Sequence, residues 1–289
     1  MEWFTTNDGK YRIESLSAAT LSGALKLMDE HFFKDEPVCI GTEMNINPLA
    51  REDMLELCAD AALDGMSLVA ISNDSEEVVS ALFNKLQEVP TNTSEKTFFE
   101  TFSEERCKHG PSRAVVNVMV ELDAKCNFYE KYNADCACEF MFLGTHREHR
   151  RKNLGMLLCR TAVEQIRKLK YAPATPLTIQ DLGPKYSFMK PRAPITKVPQ
   201  ICHALCTAVA TQKIFKSLGF DEVATFPLAD FTFNGKPYST RGVTGFCIAY
   251  AMRINYSGKE SDFRPQEITN EFPKNTFYNN SPMTALSKL

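Results

Sequence analysis

Apolar positions along the chain follow two spacings, which predict an alternation of helices and strands. Along 154–169 an apolar residue recurs in steps of four, four, four and three, which places one apolar stripe on a helix. The segment 136–144 is apolar at almost every position, the pattern of a strand buried on both faces. The same reasoning predicts further helices over 17–33, 50–63, 113–132 and 211–220, and further strands over 11–16, 66–72, 77–89, 200–210, 222–231 and 244–254.

The predicted order of elements is β-α-α-β-β-α-β-α-β-α-β-β. Strands and helices mixed in this way indicate a single α/β or α+β domain, and we place it over residues 1–255. Residues 90–112 are predicted to form a polar loop or a short helix. The segment 171–199 holds several prolines and is predicted to be a long loop.

The polar segment 256–289 has neither a helical nor a strand period and is predicted to be a disordered tail. It ends in Ser287-Lys288-Leu289, the form of a peroxisomal address. We therefore expect a peroxisomal protein that is carried by an import receptor. The alternative is an accidental match in a cytoplasmic protein.

Composition limits the classes of function. The chain has 289 residues, a formal net charge of −3 and 44% hydrophobic residues. This suffices for one sizeable core or two small ones and does not favour nucleic acid as a partner. We find no secretory signal and no window close to the roughly 18 apolar residues of a membrane helix. The ten cysteines are expected to be free thiols. Because Cys136 and Cys138 lack two further ligands for zinc, we expect no metal.

A basic cluster precedes the helix predicted over 154–169. In the stretch THREHRRKNLGMLL, 145–158, the residues Arg150, Arg151 and Lys152 lie at the start of that helix. A helix start presents unpaired N–H groups and the positive end of the helix dipole. Cations are unfavourable there unless an anion joins them, which favours a bound pyrophosphate. The alternative is that these side chains extend into water.

Three stretches carry a resemblance to a known family. The run RRKNLG, 150–155, resembles the acetyl-CoA loop of the GNAT superfamily of N-acetyltransferases, Q/R-x-x-G-x-G/A. Asn153 replaces the middle glycine, and asparagine tolerates a left-handed backbone well. The run TQKIFKSLGF resembles the late helix of that superfamily. The run HFFKDEPV, 31–38, resembles a stretch of the insect-type arylalkylamine N-acetyltransferases, as does ELDAKCNFYEKYNAD, 121–135, and the resemblance covers about residues 11–254.

This resemblance implies a GNAT fold, in which a mixed central sheet has a splayed central strand and helices on both faces. It also implies acetyl-CoA as co-substrate. Main-chain groups of Leu143 and Thr145 would hold the pantetheine arm, and backbone N–H groups between them would stabilise the thioester oxyanion. The expected cofactor-binding residues are Leu143, Gly144, Thr145, Arg150, Arg151, Lys152, Asn153, Leu154, Gly155 and Met156.

Glu36 corresponds to the general base of the insect-type subgroup. Such a base removes, directly or through water, a proton from an ammonium whose pKa is about 10. The alternative is a solvated glutamate at a helix end.

Two serines of the subgroup map onto Thr207 and Thr211, so a hydroxyl is kept for protonating the leaving thiolate. The tyrosine that many superfamily members use for this step is Phe215 here. The alternatives for the threonines are a helix cap or a buried hydroxyl bonded to a carbonyl.

Together these residues favour an acetyl-CoA-dependent N-acetyltransferase that acts on a small primary amine by direct transfer in a ternary complex. An arylalkylamine such as dopamine, tyramine or serotonin would be the substrate. One alternative is a polyamine or agmatine acetyltransferase, for which 52–60 and 95–105 offer carboxylates. Another is an acyl-CoA-binding protein without transfer activity, which Asn153 and Phe215 would favour. A protein-modifying acetyltransferase is the third, and a long loop over 171–199 argues against it.

Overall fold

The computed structural model of the protein describes residues 1–89, 92, 95–191, 195 and 197–256. The tail predicted over 256–289, apart from Tyr256, and its Ser287-Lys288-Leu289 end lie outside the described residues.

The chain forms ten strands and eight α-helices in the described ranges. The strands are β1 (Glu2–Thr5), β2 (Tyr11–Ser15), β3 (Leu68–Ser72), β4 (Val78–Glu88), β5 (Cys136–Thr145), β6 (Ile201–Cys206), β7 (Asp221–Pro227), β8 (Thr232–Phe233), β9 (Lys236–Pro237) and β10 (Phe246–Arg253). The helices are α1 (Ala18–Leu27), α2 (Pro37–Gly41), α3 (Pro48–Ala62), α4 (Phe98–Glu105), α5 (Gly110–Cys126), α6 (Phe128–Tyr132), α7 (Leu154–Lys168) and α8 (Val209–Ser217).

Eight strands form one mixed sheet in the order β1-β2-β3-β4-β5-β6-β10-β7. All neighbours are antiparallel except β5 and β6. The parallel pairing of β5 with β6 covers only Ala137–Glu139, whereas β5 pairs with β4 as far as Thr145. The edge of β5 that faces β6 is therefore open beyond Glu139. This confirms the predicted mixed sheet with a splayed central strand.

Helices cover both faces of the sheet, as predicted. Leu21 of α1, Met54 of α3 and Val116 of α5 belong to one buried cluster, and Leu158 of α7 and Phe215 of α8 belong to another. Successive residues of β3 and β4 fall alternately into the two clusters, which places the clusters on opposite faces because strand side chains alternate. No helix in the described ranges is long and apolar enough to cross a membrane, and all ten cysteines are free and buried.

Several predicted elements differ from the structure. The strand predicted over 222–231 ends at Pro227 as β7, and a 3-10 turn follows over Leu228–Asp230. The helix predicted over 113–132 was wrong as one element, because Asn127 takes a left-handed conformation, φ 46°, and divides it into α5 and α6. The strand predicted over 200–210 ends at Cys206, and α8 begins earlier than predicted. Pro37 opens the short helix α2, which was not predicted, because a helix start needs no proline N–H. Strand β1 has only four residues, too few to show a period, and was not predicted.

Candidate active site

A turn of π-helix carries the chain across the open half of β5. Helix α1 continues into this turn, Met28–Phe32, and the ring of Phe32 lies 5.4 Å, between centroids, from that of Phe142 in β5. Gly144 permits the approach, since a Cβ at this position would lie only 3.2 Å from the Cβ of Phe32. Residues 33–36 then lead to the carboxyl ends of β5 and β6.

Glu36 lies at this point, and both of its carboxylate oxygens accept hydrogen bonds. Its Oε2 caps α2 by accepting from the N–H of Cys39 at 2.6 Å. Its Oε1 accepts from the hydroxyl of Thr207 at 2.7 Å. Because Thr207 directly follows β6, the carboxylate is held beside the end of that strand, where β5 and β6 have separated. Glu36 is half-buried and fixed in orientation, in contrast to a freely solvated glutamate.

The two threonines predicted as proton donors have different surroundings. Thr207 donates to Glu36, whereas Thr211 donates to the carbonyl of Ala208 at 2.8 Å, at the start of α8. The structure thus brings Thr207 to Glu36 and gives Thr211 the local carbonyl bond named above as its alternative. Phe215 is buried in α8, with its ring centroid 5.6 Å from that of Phe140.

The basic loop before α7 has the backbone of an anion site. Arg151 and Asn153 are left-handed, with φ 62° and 61°, so Asn153 takes a conformation that usually favours glycine. The N–H of Leu157 makes the first bond within α7, to the carbonyl of Asn153. The N–H groups of 154–156 precede that bond, and the side chain of Asn153 makes no capping bond to them. Such a concave run of N–H groups at a helix start suits a phosphate.

This loop lies against the open end of β5. A Cβ on Gly155 would lie 3.2 Å from Ile214 in α8 and 3.3 Å from the side chain of Leu143, so glycine allows α7 to pack closely there. On its other side β5 is fixed by Ser80, whose hydroxyl donates to the carbonyl of Gly144 at 2.8 Å and lies 2.8 Å from the hydroxyl of Thr145. The predicted pantetheine edge and the predicted phosphate loop are therefore neighbours.

An ion-pair cluster joins this loop to the segment before α2. Asp35 pairs with Arg147 at 2.6 Å and with Arg150 at 2.7 Å, and Arg150 also donates to the carbonyl of Thr145 at 3.1 Å. The hydrogen bond from Arg147 is the main cause that holds the pKa of Asp35 below its usual value. Arg150, predicted to meet phosphate, is turned toward Asp35 in this structure. The sequence prediction missed this contact, since more than a hundred residues separate the partners.

A group of histidines flanks the same loop. The ring centroids of His31 and His146 are 4.1 Å apart, and those of His146 and His149 are 5.5 Å apart. Tyr11 holds His149 through a contact of 2.9 Å between its hydroxyl and Nδ1. Burial, and then the neighbouring His146, lower the pKa of His31 and of His149, so both rings are neutral at neutral pH. The part of the chain that the structure describes holds no group of three or more His, Cys, Asp or Glu residues placed to bind a metal.

Asp53 and Glu56, in the segment 52–60 considered for a polyamine, are used inside the fold. Asp53 accepts from the hydroxyl of Ser112 at 2.6 Å and from the backbone N–H of His109 at 3.0 Å. Glu56 pairs with Arg106 at 2.6 Å. These bonds tie α3 to the chain around α4 and α5, so the carboxylates serve packing.

Solved structures of N-acetyltransferases share this architecture. Arylalkylamine N-acetyltransferase 2 from Aedes aegypti matches with a TM-score of 0.63 at 17% identity, over 85% of this chain and 99% of that chain. A Drosophila melanogaster polyamine N-acetyltransferase, an enzyme that catalyses formation of N-acetylagmatine, matches with a TM-score of 0.61 at 14% identity, over 84% and 99%. A mosquito arylalkylamine N-acetyltransferase like 5b matches with a TM-score of 0.59 at 12% identity, over 84% and 99%.

These matches show that the chain has the GNAT fold and that its structure resembles the insect arylalkylamine N-acetyltransferases, as the sequence resemblance implied. Comparisons with protein-family models and with curated protein sequences find no significant match.

Proposed function

We propose that this protein is an acetyl-CoA-dependent N-acetyltransferase that acetylates a small primary arylalkylamine by direct transfer in a ternary complex, with Glu36 as general base. The observation that carries the proposal is the position of the Glu36 carboxylate. It is held by Cys39 and Thr207 at the place where β5 and β6 separate. A carboxylate there attracts an ammonium substrate and can remove its proton.

The residues around this carboxylate fit the co-substrate. The pyrophosphate would lie on the N–H groups of 154–156, with the exposed side chains of Arg151 and Lys152 around it. The pantetheine amides would pair with the open edge of β5 near 143–145. Backbone N–H groups of that edge would then face the thioester oxygen, where negative charge develops.

The proposed transfer keeps atoms and protons in balance. Glu36 takes one proton from the ammonium, and the neutral amine nitrogen bonds to the thioester carbonyl carbon. The carbon–sulfur bond then breaks to release a thiolate, and the nitrogen gives its second surplus proton to water, so the products are a neutral amide, a thiol and one released proton. Thr207 is the better placed of the two threonines to protonate that thiolate. Its hydroxyl already bonds Glu36, so it can give up its own proton and receive the one that Glu36 has taken.

An arylalkylamine is favoured over a polyamine by two features. Asp53 and Glu56, two of the carboxylates of 52–60 that would suit a second ammonium, are engaged within the fold. Phe32 is half-buried and accepts, through its carbonyl, the backbone N–H of Glu36 at 3.0 Å. Its ring lies 5.4 Å, between centroids, from that of Phe142 in β5, so an aromatic substrate on the open half of β5 would meet aromatic side chains.

The test is thiol release from acetyl-CoA by purified protein across dopamine, tyramine, serotonin, spermidine and agmatine, with a control lacking amine. We expect release that depends on an arylalkylamine. Glu36→Gln should lower kcat by about 100-fold or more and leave the thermal shift with coenzyme A unchanged. Glu30→Gln, an exposed glutamate on the same segment, is the matched control and should retain activity.

Two results would contradict the proposal. A clear thermal shift with coenzyme A but no release with any amine would favour an acyl-CoA-binding protein. Full activity in Glu36→Gln at neutral pH would show that another group is the base.

A further inference from the structure

A large cavity lies at the opposite end of α7 from the phosphate loop. It has a volume of about 1040 Å³ and is bounded by β1, the residues that lead into α1, the last turn of α7 and the segment 171–177. The 15 residues of α7 rise about 1.5 Å each, which separates the cavity from the phosphate loop by roughly 20 Å. The volume is in the range of small-molecule sites, and the site is separate from the proposed transfer site.

Apolar side chains form most of the cavity wall. Trp3 is the single tryptophan of the chain, and its Nε1 donates to the hydroxyl of Ser15 at 3.0 Å, which fixes the ring. Further apolar members of the wall include Met1, Leu16, Leu169, Pro173, Pro176 and Leu177.

One cation in this wall has no carboxylate partner among the described residues. The ammonium of Lys168 lies 4.1 Å from the ring centroid of Trp3. Burial lowers its pKa, and Glu164, whose charge opposes that effect, is itself paired with Arg167 at 2.6 Å. Asp181 also lines the cavity, but one of its carboxylate oxygens accepts two hydrogen bonds from Thr178. An anion from outside the chain would therefore complete the surroundings of Lys168.

An unpaired acceptor lies in the same wall. Gln165 is 7% exposed, and its Nε2 donates to the carbonyl of Gly65 at 2.9 Å. That bond identifies the amide nitrogen, and the remaining Oε1 is buried without a hydrogen-bond partner in the described part of the chain. This oxygen has almost no accessible surface, so Gln165 supports the cavity wall through its bond to Gly65 and does not itself contact a ligand.

We propose that this cavity binds a small amphipathic anion. Its apolar body would lie against Trp3 and the proline-containing wall, and its anionic group on the ammonium of Lys168. The site does not depend on the transferase activity proposed above, and either can fail without the other.

The test uses 8-anilinonaphthalene-1-sulfonate, with coenzyme A present at saturation to occupy the transfer site. Because Trp3 is the only tryptophan, energy transfer from tryptophan to the probe detects a probe bound in its neighbourhood, and the Lys168 variants then assign it to this cavity. We expect saturable transfer, lost in Trp3→Phe while the probe still binds by its own fluorescence. Lys168→Met should weaken binding at least five-fold, whereas Lys168→Arg should change it less than two-fold. Lys216→Met, an exposed lysine on α8, is the control for general charge.

Competing acids distinguish the two chemical sources of such an anion. Displacement by 2-naphthoate supports a planar aromatic acid, and displacement by decanoate supports a flexible fatty acid. Displacement by neither acid would overturn the proposal, as would unchanged probe affinity in Lys168→Met or loss of the probe when coenzyme A is added. Lys168→Gln replaces Lys168→Met if thermal melting shows that the methionine variant does not fold.

Discussion

The carboxylate of Glu36 accepts a hydrogen bond of 2.7 Å from the hydroxyl of Thr207, although 171 positions separate the two residues. The bond joins the start of α2 to the end of β6. The second carboxylate oxygen is held by the N–H of Cys39, so the two bonds together fix the plane of the carboxylate. Thr207 therefore positions the proposed base.

Thr207→Val removes the hydroxyl with little change in shape. We expect kcat to fall by about 10-fold or more, since a base out of alignment transfers protons poorly, while the thermal shift with coenzyme A is kept. Thr207→Ser should recover most of kcat, because it restores the donor. The measurement is steady-state thiol release with kcat and KM determined separately.

Thr211→Val is the matched control for this experiment. Its hydroxyl bonds the Ala208 carbonyl at the start of α8, so activity should change by no more than about two-fold. Equal losses in the two valine variants would contradict a special role for Thr207.

Asp35 neutralises part of the positive charge beside the phosphate loop, through its pairs with Arg147 and Arg150. Asp35→Asn frees these guanidinium groups, and we expect coenzyme A to bind about two- to five-fold more tightly at low salt, with a smaller gain at high salt. Isothermal titration at two salt concentrations measures this. Asp29→Asn also breaks a carboxylate–arginine pair in the same segment, but its partner is Arg51. Equal effects from Asp29→Asn and Asp35→Asn would contradict the role of the loop arginines.

Asn153 replaces a glycine of the resembled loop and has φ 61°. Asn153→Gly should keep coenzyme A affinity within about two-fold, because glycine adopts this conformation without strain. Asn153→Val should lower the free energy of unfolding by about 1–2 kcal/mol, since a β-branched residue is strained there, and should weaken coenzyme A binding. Thermal melting and coenzyme A titration test both variants, and unaltered binding in Asn153→Val would argue against a phosphate site on this backbone.

Local patterns predicted most of the elements of this fold. The four-residue apolar spacing of 154–169 predicted α7, and the continuous apolar run of 136–144 predicted β5. Each pattern depends only on residues that are close in sequence. The break at Asn127 gave no such signal, since the apolar spacing continues through it while the backbone turns left-handed.

The candidate site was predicted only as separate pieces. The family resemblance identified Glu36, Thr207 and the basic loop 150–155 separately. No local sequence rule pairs Asp35 with Arg147, because their contact depends on the tertiary fold. The Trp3 cavity was likewise not predicted. It forms where β1 packs near the proline-rich segment 171–177. The sequence of either segment does not show that the two come together.

His203 is a buried histidine beneath the opening of the sheet. It is 1% exposed, its ring stacks on Phe128 with centroids 4.3 Å apart, and neither ring nitrogen has a hydrogen-bond partner among the described residues. Glu139 lies beside it in the parallel register of β5 and β6. Burial lowers the pKa of His203 to about 3, so the folded chain keeps this ring neutral.

The unfolded chain binds a proton at this histidine below its ordinary pKa of about 6.5, whereas the folded chain does so only near pH 3. The free energy of unfolding is therefore unaffected by this group well above pH 6.5. It decreases as the pH falls below that value, by about 2 kcal/mol at pH 5. His203→Leu should reduce the difference in unfolding free energy between pH 8 and pH 5 by that amount, measured by urea titration. Phe128→Leu, which loosens the same stack without removing a titrating group, should lower stability similarly at both pH values. An unchanged pH difference in His203→Leu would show that other groups set the acid sensitivity of the fold.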